Sequence, residues 1–143
     1  MPEDSFEEDE ELRKIKEKKI KELVKKSREA EAGGVKNIVM LNEESFDSFV
    51  SGSTTPVLID FFATWCPPCK MMEPVMEKLA EEFAGKIAFG KVDVDENMNL
   101  VSRFDITAVP TFILFKKGKV VGRVVGARNY ETFKKMLEKV LAR

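Results

Sequence analysis

The sequence predicts an α/β fold: a mixed central β-sheet with helices on both faces. Three observations carry that expectation. Val57 to Phe62 is almost continuously apolar, as expected of a strand covered on both sides. Strand-like and helix-like runs alternate from Asn37 to Phe104. Thr111 to Phe115 and Lys119 to Val125, joined by Lys116-Lys117-Gly118, read as a hairpin that precedes a closing helix. A βαβ half followed by a hairpin and a helix is a sandwich of two helical layers about one sheet.

Taken in order, Ile38 to Leu41 reads as a short strand and Glu43 to Val50 as a helix. Ser51-Gly52-Ser53-Thr54-Thr55-Pro56 is rich in turn formers and reads as a loop. The central strand Val57 to Phe62 follows. Pro67 to Phe83 has helical apolar spacing, with Pro74 far enough inside to kink it. Ile87 to Asp93 is a third strand and Asn97 to Phe104 a short helix. The last helix runs from about Tyr130 to Ala142, with Phe133, Met136, Leu137, Val140 and Leu141 on its inner face.

Between the central strand and the long helix lies Trp65-Cys66-Pro67-Pro68-Cys69-Lys70, which holds both cysteines of the chain. Three residues apart at a helix start, the two sulfurs share a face, within the separation a disulfide requires. Three readings of the pair stand: a redox couple, a structural bridge and a metal site. A bridge closing four residues contributes only about 2 kcal/mol, against roughly 3 for a fifteen-residue loop, so it staples little. Zinc wants four ligands, and the sequence has no second Cys pair and no histidine. Both points favour redox chemistry.

Placement distinguishes the two sulfurs. With Cys66 as N-cap and Pro67 as the first helical residue, the missing proline N–H costs nothing and its fixed φ suits the helix start. The positive end of the helix dipole and the Cys69 amide then stabilise a thiolate at Cys66 below the usual thiol pKa of about 8.5. Cys66 is the expected nucleophile. Cys69, one turn further in, is placed to attack a mixed disulfide at Cys66 and release the reduced partner.

Composition narrows the alternatives. The 143 residues, 43% of them apolar, hold one ordinary domain and a short appendage. A formal net charge of −1 gives no electrostatic case for nucleic acid or membrane as main partner. The apolar runs are too short to cross a bilayer. The acidic opening, Met1 to Glu11, lacks the positive start and apolar region of a secretory signal, so a cytoplasmic location is expected. Two cysteines in one motif fit a reducing compartment, where a disulfide is transient and catalytic. Charged residues make up 34% of the chain and glutamine is absent, a bias towards a heat-adapted source, against which seven methionines argue mildly.

Residues 1–36 differ from the rest. Seven acidic residues between Glu3 and Glu11 precede a basic stretch, Arg13 to Arg28, with nine Lys or Arg against two Glu. Leu12, Ile15, Ile20, Leu23 and Val24 give Glu10 to Ala30 a thin apolar stripe at helical spacing, ended by a hinge at Gly33-Gly34. A solvated, self-neutralising helix or partly disordered tail is one expectation for this segment, docking onto a partner or a second copy another, and binding of nucleic acid or anionic lipid a third, against which the adjoining acidic block works by cancelling the attraction.

Val57-Leu58-Ile59-Asp60-Phe61-Phe62-Ala63-Thr64-Trp65-Cys66-Pro67-Pro68-Cys69-Lys70, then Lys91-Val92-Asp93-Val94-Asp95, Val109-Pro110-Thr111, Phe115-Lys116-Lys117-Gly118 and Val125-Gly126-Ala127 carry, over residues 37–143, a resemblance to the thioredoxin family. It implies a thioredoxin fold, no dissociable cofactor or metal, and dithiol–disulfide exchange with protein disulfides by a monomer that a thioredoxin reductase-like donor recharges. Residues 1–36 lie outside it. The resemblance further implies that Asp60, a carboxyl whose pKa desolvation in an apolar strand raises, accepts the proton of Cys69. It makes Lys91 the charge that pairs with Asp60, and Pro110 a cis proline that leaves Val109 free to bind an extended substrate by strand addition. Trp65, Pro67, Val109, Pro110, Gly126 and Ala127 would then form the substrate rim around Cys66. For Trp65 a place in the core is the competing expectation.

Two departures stand out. Most thioredoxins have Gly-Pro between the cysteines, whereas this chain has Pro67-Pro68. The added proline removes a backbone donor near Cys66 and disfavours helical geometry at the residue before it. About 30 mV corresponds to 1.4 kcal/mol, so a small differential strain separates a reductant from a disulfide oxidase or isomerase. Phe62 stands where many members have tryptophan. A non-catalytic binding module of the same fold is the remaining alternative.

Overall fold

The computed structural model describes residues 38–142. The expected helix Glu10 to Ala30 and the Gly33-Gly34 hinge lie outside them. Five strands form one sheet in the order β1-β3-β2-β4-β5, with β1 Ile38–Leu41, β2 Val57–Phe62, β3 Ala88–Asp93, β4 Thr111–Lys116 and β5 Lys119–Val125. β1 and β2 run parallel to β3, whereas β4 is antiparallel to both β2 and β5. The mixed sheet follows from the connections: a helix links β2 to β3, and a Lys117-Gly118 turn, both residues at positive φ, links β4 to β5.

Every residue of β2 is buried, because the sheet is covered on both sides. Alternation divides the core into two layers. Leu58, Phe89, Phe112 and Leu114 pack with Met72, Met76 and Leu79 of α2 (Pro67–Glu82) and with Phe133, Leu137 and Val140 of α4 (Tyr130–Ala142). On the opposite side Val57, Ile59, Phe61, Val92 and Ile113 pack with Phe46 and Val50 of α1 (Phe46–Ser51) and Leu100 of α3 (Met98–Arg103). Arg103 of α3 clamps Asp47 of α1 through two bonds of 2.8 and 3.0 Å, and its guanidinium lies over the Phe104 ring.

Several boundaries differ from expectation for local reasons. The first helix begins at Phe46 rather than Glu43, because the Asn42 side chain accepts the amides of Glu44 and Ser45, both at 2.9 Å, and so makes a turn of that segment. Ile87 leaves its expected strand: its amide donates to the Phe83 carbonyl at 2.9 Å, within the turn that follows α2. A 3₁₀ turn, Val94–Glu96, follows β3 where the sequence pattern shows no element; the Asp93 side chain opens it by accepting the Asp95 amide. In α4 the buried stripe is Phe133, Leu137 and Val140, whereas Leu141 lies 37% exposed at the stripe's edge. α2 is a single 16-residue helix through Pro74, which forgoes one backbone bond to the turn before it.

Gly90 illustrates how tightly β3 is wedged between its neighbours. A Cβ there would sit 2.7 Å from Leu41 Cδ1 and 3.0 Å from Ile59 Cδ1. Gly90→Ala is therefore expected to overpack this layer and cost about 1–3 kcal/mol, read as a lower denaturant midpoint at unchanged slope.

Candidate active site

The site forms where β2 ends and α2 begins. Cys66 is the N-cap of α2, with extended backbone (φ −100°, ψ 110°), and its sulfur accepts the Cys69 amide at 3.2 Å. The two cysteines are joined as a disulfide across a Cα–Cα separation of 5.3 Å. Both are only 3% exposed, packed with Phe62 and Ala63 against Val94 and Val109. Burial therefore does not tell the sulfurs apart; the amide at the helix N-terminus does.

Pro67 and Pro68 occupy the first two positions of α2. Helical geometry is disfavoured before a proline, and that preference is met at Cys66 and overridden at Pro67, where packing of α2 on the sheet sets the helix start. First-turn amides have no partner within a helix, so the two missing N–H groups break no backbone bond. They do leave the Cys69 amide as the N–H bonded to the Cys66 sulfur.

The Val109–Pro110 peptide is cis and brings the Val109 carbonyl to 3.8 Å from the Cys66 sulfur. In the disulfide that sulfur carries no proton, so the contact is not a hydrogen bond; in the dithiol the same carbonyl is an acceptor for the Cys66 thiol. The Gly126 amide donates to the Pro110 carbonyl at 2.8 Å, which ties the loop after β5 to the proline turn. Gly126 has φ 94°, a conformation that favours glycine. Ala127 and Pro67 are exposed, and Val109 is half-buried.

Trp65 is 65% exposed, which excludes a place in the core. Its indole Nε1 donates to the Asp95 carboxylate at 2.8 Å. That contact spans thirty residues of sequence, so no local spacing signals it.

Asp60 is 2% exposed, in the middle of β2, with Lys91 beside it in register on β3 and Phe112 on β4. Its Oδ1 has no hydrogen-bond partner. Burial raises its pKa to about 7; the Lys91 charge opposes that rise and the Glu73 charge, one turn beyond Cys69 on α2, adds to it. Lys91 does not sit against the carboxyl: its ammonium lies 4.5 Å from the centroid of the Phe62 ring.

A Cys pair that closes into a disulfide at a helix N-terminus, with a carboxyl titrating near neutral pH on the strand beneath, is equipped for thiol–disulfide exchange. Comparison with known proteins agrees. The Thioredoxin family model matches residues 37–139. A chloroplastic M-type thioredoxin of Pisum sativum is 40% identical over 107 residues, 75% of this chain and 62% of its own, so this chain spans less than two thirds of that relative. Thioredoxins of Haemophilus influenzae and Staphylococcus aureus are 44% and 42% identical, over 63% and 73% of this chain and 84% and 98% of theirs. A solved structure of a thioredoxin mutant from Halobacterium salinarum NRC-1 superposes with a TM-score of 0.67 at 37% identity, covering 73% of this chain and 92% of that one. With the family model matched over residues 37–139, well over half of its length, the chain belongs to the thioredoxin family.

Proposed function

We propose that this chain reduces protein disulfides by dithiol–disulfide exchange, and that residues 37–143 carry the activity. The observation that carries the proposal is the Cys66 sulfur, set at the start of α2 and capped by the Cys69 amide at 3.2 Å. In the dithiol state the Cys66 thiolate attacks a client disulfide, forming one S–S bond and releasing one client thiolate. Asp60, as carboxylate, takes the Cys69 proton. The Cys69 thiolate then attacks Cys66, the second client thiolate leaves, and the protein is left with the Cys66–Cys69 bridge. Two electrons have passed to the client. A separate thioredoxin reductase-like donor returns two electrons to the bridge.

Trp65, Pro67, Val109, Pro110, Gly126 and Ala127 form the client rim in this reading, with the Val109 backbone pairing to an extended client segment. The Gly126 amide is already engaged by Pro110 and serves to position the rim. A cytoplasmic setting fits a chain whose two cysteines share one motif.

The Pro67-Pro68 linker supports the reducing direction. Strong oxidants of this chemistry owe their potential to a stabilised reduced form. A proline at the first helical position withholds one N–H that would otherwise favour the Cys66 thiolate. The equilibrium potential of the pair against a glutathione redox buffer is the test. A value near about −270 mV is expected; a value between about −180 and −120 mV would instead make the chain a disulfide-forming or shuffling catalyst.

A further inference from the structure

Asp60 and Lys91 sit side by side in register on β2 and β3, yet they form no ion pair among the described residues. A buried carboxyl next to a lysine ordinarily captures it, because an unpaired buried charge is costly. Here the ammonium lies over the Phe62 ring, 4.5 Å from its centroid. The ring's negative face attracts a cation, and more strongly where water is excluded, as around Phe62, which is 9% exposed. Phe62 follows Asp60 by two residues and so shares its face of the sheet. The same ring packs in one cluster with Cys66 and Cys69.

We propose that Phe62 is a positioning residue for thiol exchange: its ring holds the Lys91 ammonium and thereby withholds an ion pair from Asp60, leaving that carboxylate basic enough to take the Cys69 proton. The inference rests on Asp60 being the proton acceptor, and it supplies the reason that Asp60 can be one. A carboxylate paired with lysine is a weak base; one with an unpartnered oxygen is a better base. The proton moves from the Cys69 thiol to an Asp60 oxygen, and the sulfur electron pair so freed forms the bond to Cys66 as the bond between Cys66 and the client sulfur breaks and the client thiolate leaves.

The groups that set the Asp60 charge are few. β3 supplies Lys91 and α2 supplies Glu73, whose charges act in opposite directions on the carboxyl. The cysteines at the start of α2 pack with Phe62 on the same face. β4 supplies Phe112, backed edge-on by Phe133 of α4, and neither ionises. Desolvation dominates these influences, and Lys91 is the next largest. Moving that ammonium from ring to carboxyl therefore lowers the midpoint, and deleting it raises the midpoint.

The test is titration of the Asp60 carboxyl carbon by NMR in the oxidised full-length protein, beside the pH profile for resolving a mixed disulfide at Cys66. Phe62→Leu is expected to lower the Asp60 midpoint by about 0.5–1 pH unit, whereas Phe62→Tyr, which keeps the ring, preserves it. In a Lys91→Met background Phe62→Leu is expected to leave the midpoint unmoved. An unchanged midpoint in Phe62→Leu alone overturns the proposal. So does an equal fall with Lys91 absent, which would make the ring only a shield against water. Asp60→Asn separates this from the underlying reading: a resolution profile that keeps its limb without the carboxyl would refute Asp60 as acceptor, while the titration still reports where Lys91 sits.

Discussion

Cys66→Ser is expected to abolish reduction of an insulin-type disulfide, a loss on the order of a thousandfold or more, as for removal of other catalytic nucleophiles. The hydroxyl that replaces the thiol cannot form the mixed disulfide, and the remaining thiol, Cys69, lies one turn further in without the N-cap position. Unfolding does not account for such a loss, because a bridge closing four residues stabilises by only about 2 kcal/mol. Cys69→Ser is expected to behave differently. Its Cys66 still attacks, but no second thiol displaces the client, so a covalent adduct accumulates at Cys66 and is visible by mass spectrometry. Adducts formed through Cys69 in Cys66→Ser would reverse the roles and contradict the amide capping of Cys66. Retention of full client binding alongside unchanged cellular function in Cys66→Ser would mark a binding module instead.

The second large effect concerns stability. Asp60 titrates near pH 3.8 in an unfolded chain and at about 7 in the fold, where burial is the main cause and Lys91 only partly offsets it. Between these values the folded state binds the proton that the unfolded state has lost. Stability therefore falls as pH rises from about 4 through about 7, and stays lowered above that. The difference of about three units corresponds to a cost on the order of 4 kcal/mol at pH 8. Asp60→Asn keeps the shape and removes the ionisation. It is expected to match the parent below about pH 4 and to exceed it by several kcal/mol at pH 8, a rise in Tm of more than about 10 °C for a domain near 100 residues. Equal denaturation midpoints for the two proteins at pH 8 would show that Asp60 ionises without cost. The price of that buried carboxyl is intelligible if the residue serves exchange rather than folding, since replacing it should improve the fold.

Much of this was legible in the chain. The run Val57 to Phe62, apolar except for Asp60, read as a strand covered on both faces, and the observed sheet has helices on both. The proline after Cys66 marked the helix start to the residue, because proline suits a position whose amide needs no partner. Boundaries set by side-chain turns were less visible. Asn42 captures two amides and delays α1 by three residues from its apolar pattern, and Asp93 opens a 3₁₀ turn in the same manner. Such bonds depend on one rotamer and leave no periodic trace.

By itself the sequence determined the order of elements, the central strand, the capped Cys pair and the presence of a carboxyl in an apolar setting, since each depends on local spacing and burial tendency. Tertiary structure decided the rest, because it depends on contacts between distant segments. It set Trp65 on the surface against Asp95 rather than in the core. It brought the Val109 carbonyl, forty-three residues away, to the Cys66 sulfur. And it placed the Lys91 ammonium over Phe62 rather than on Asp60, a choice between two partners on the same face of the sheet that only the packing of three side chains in space resolves.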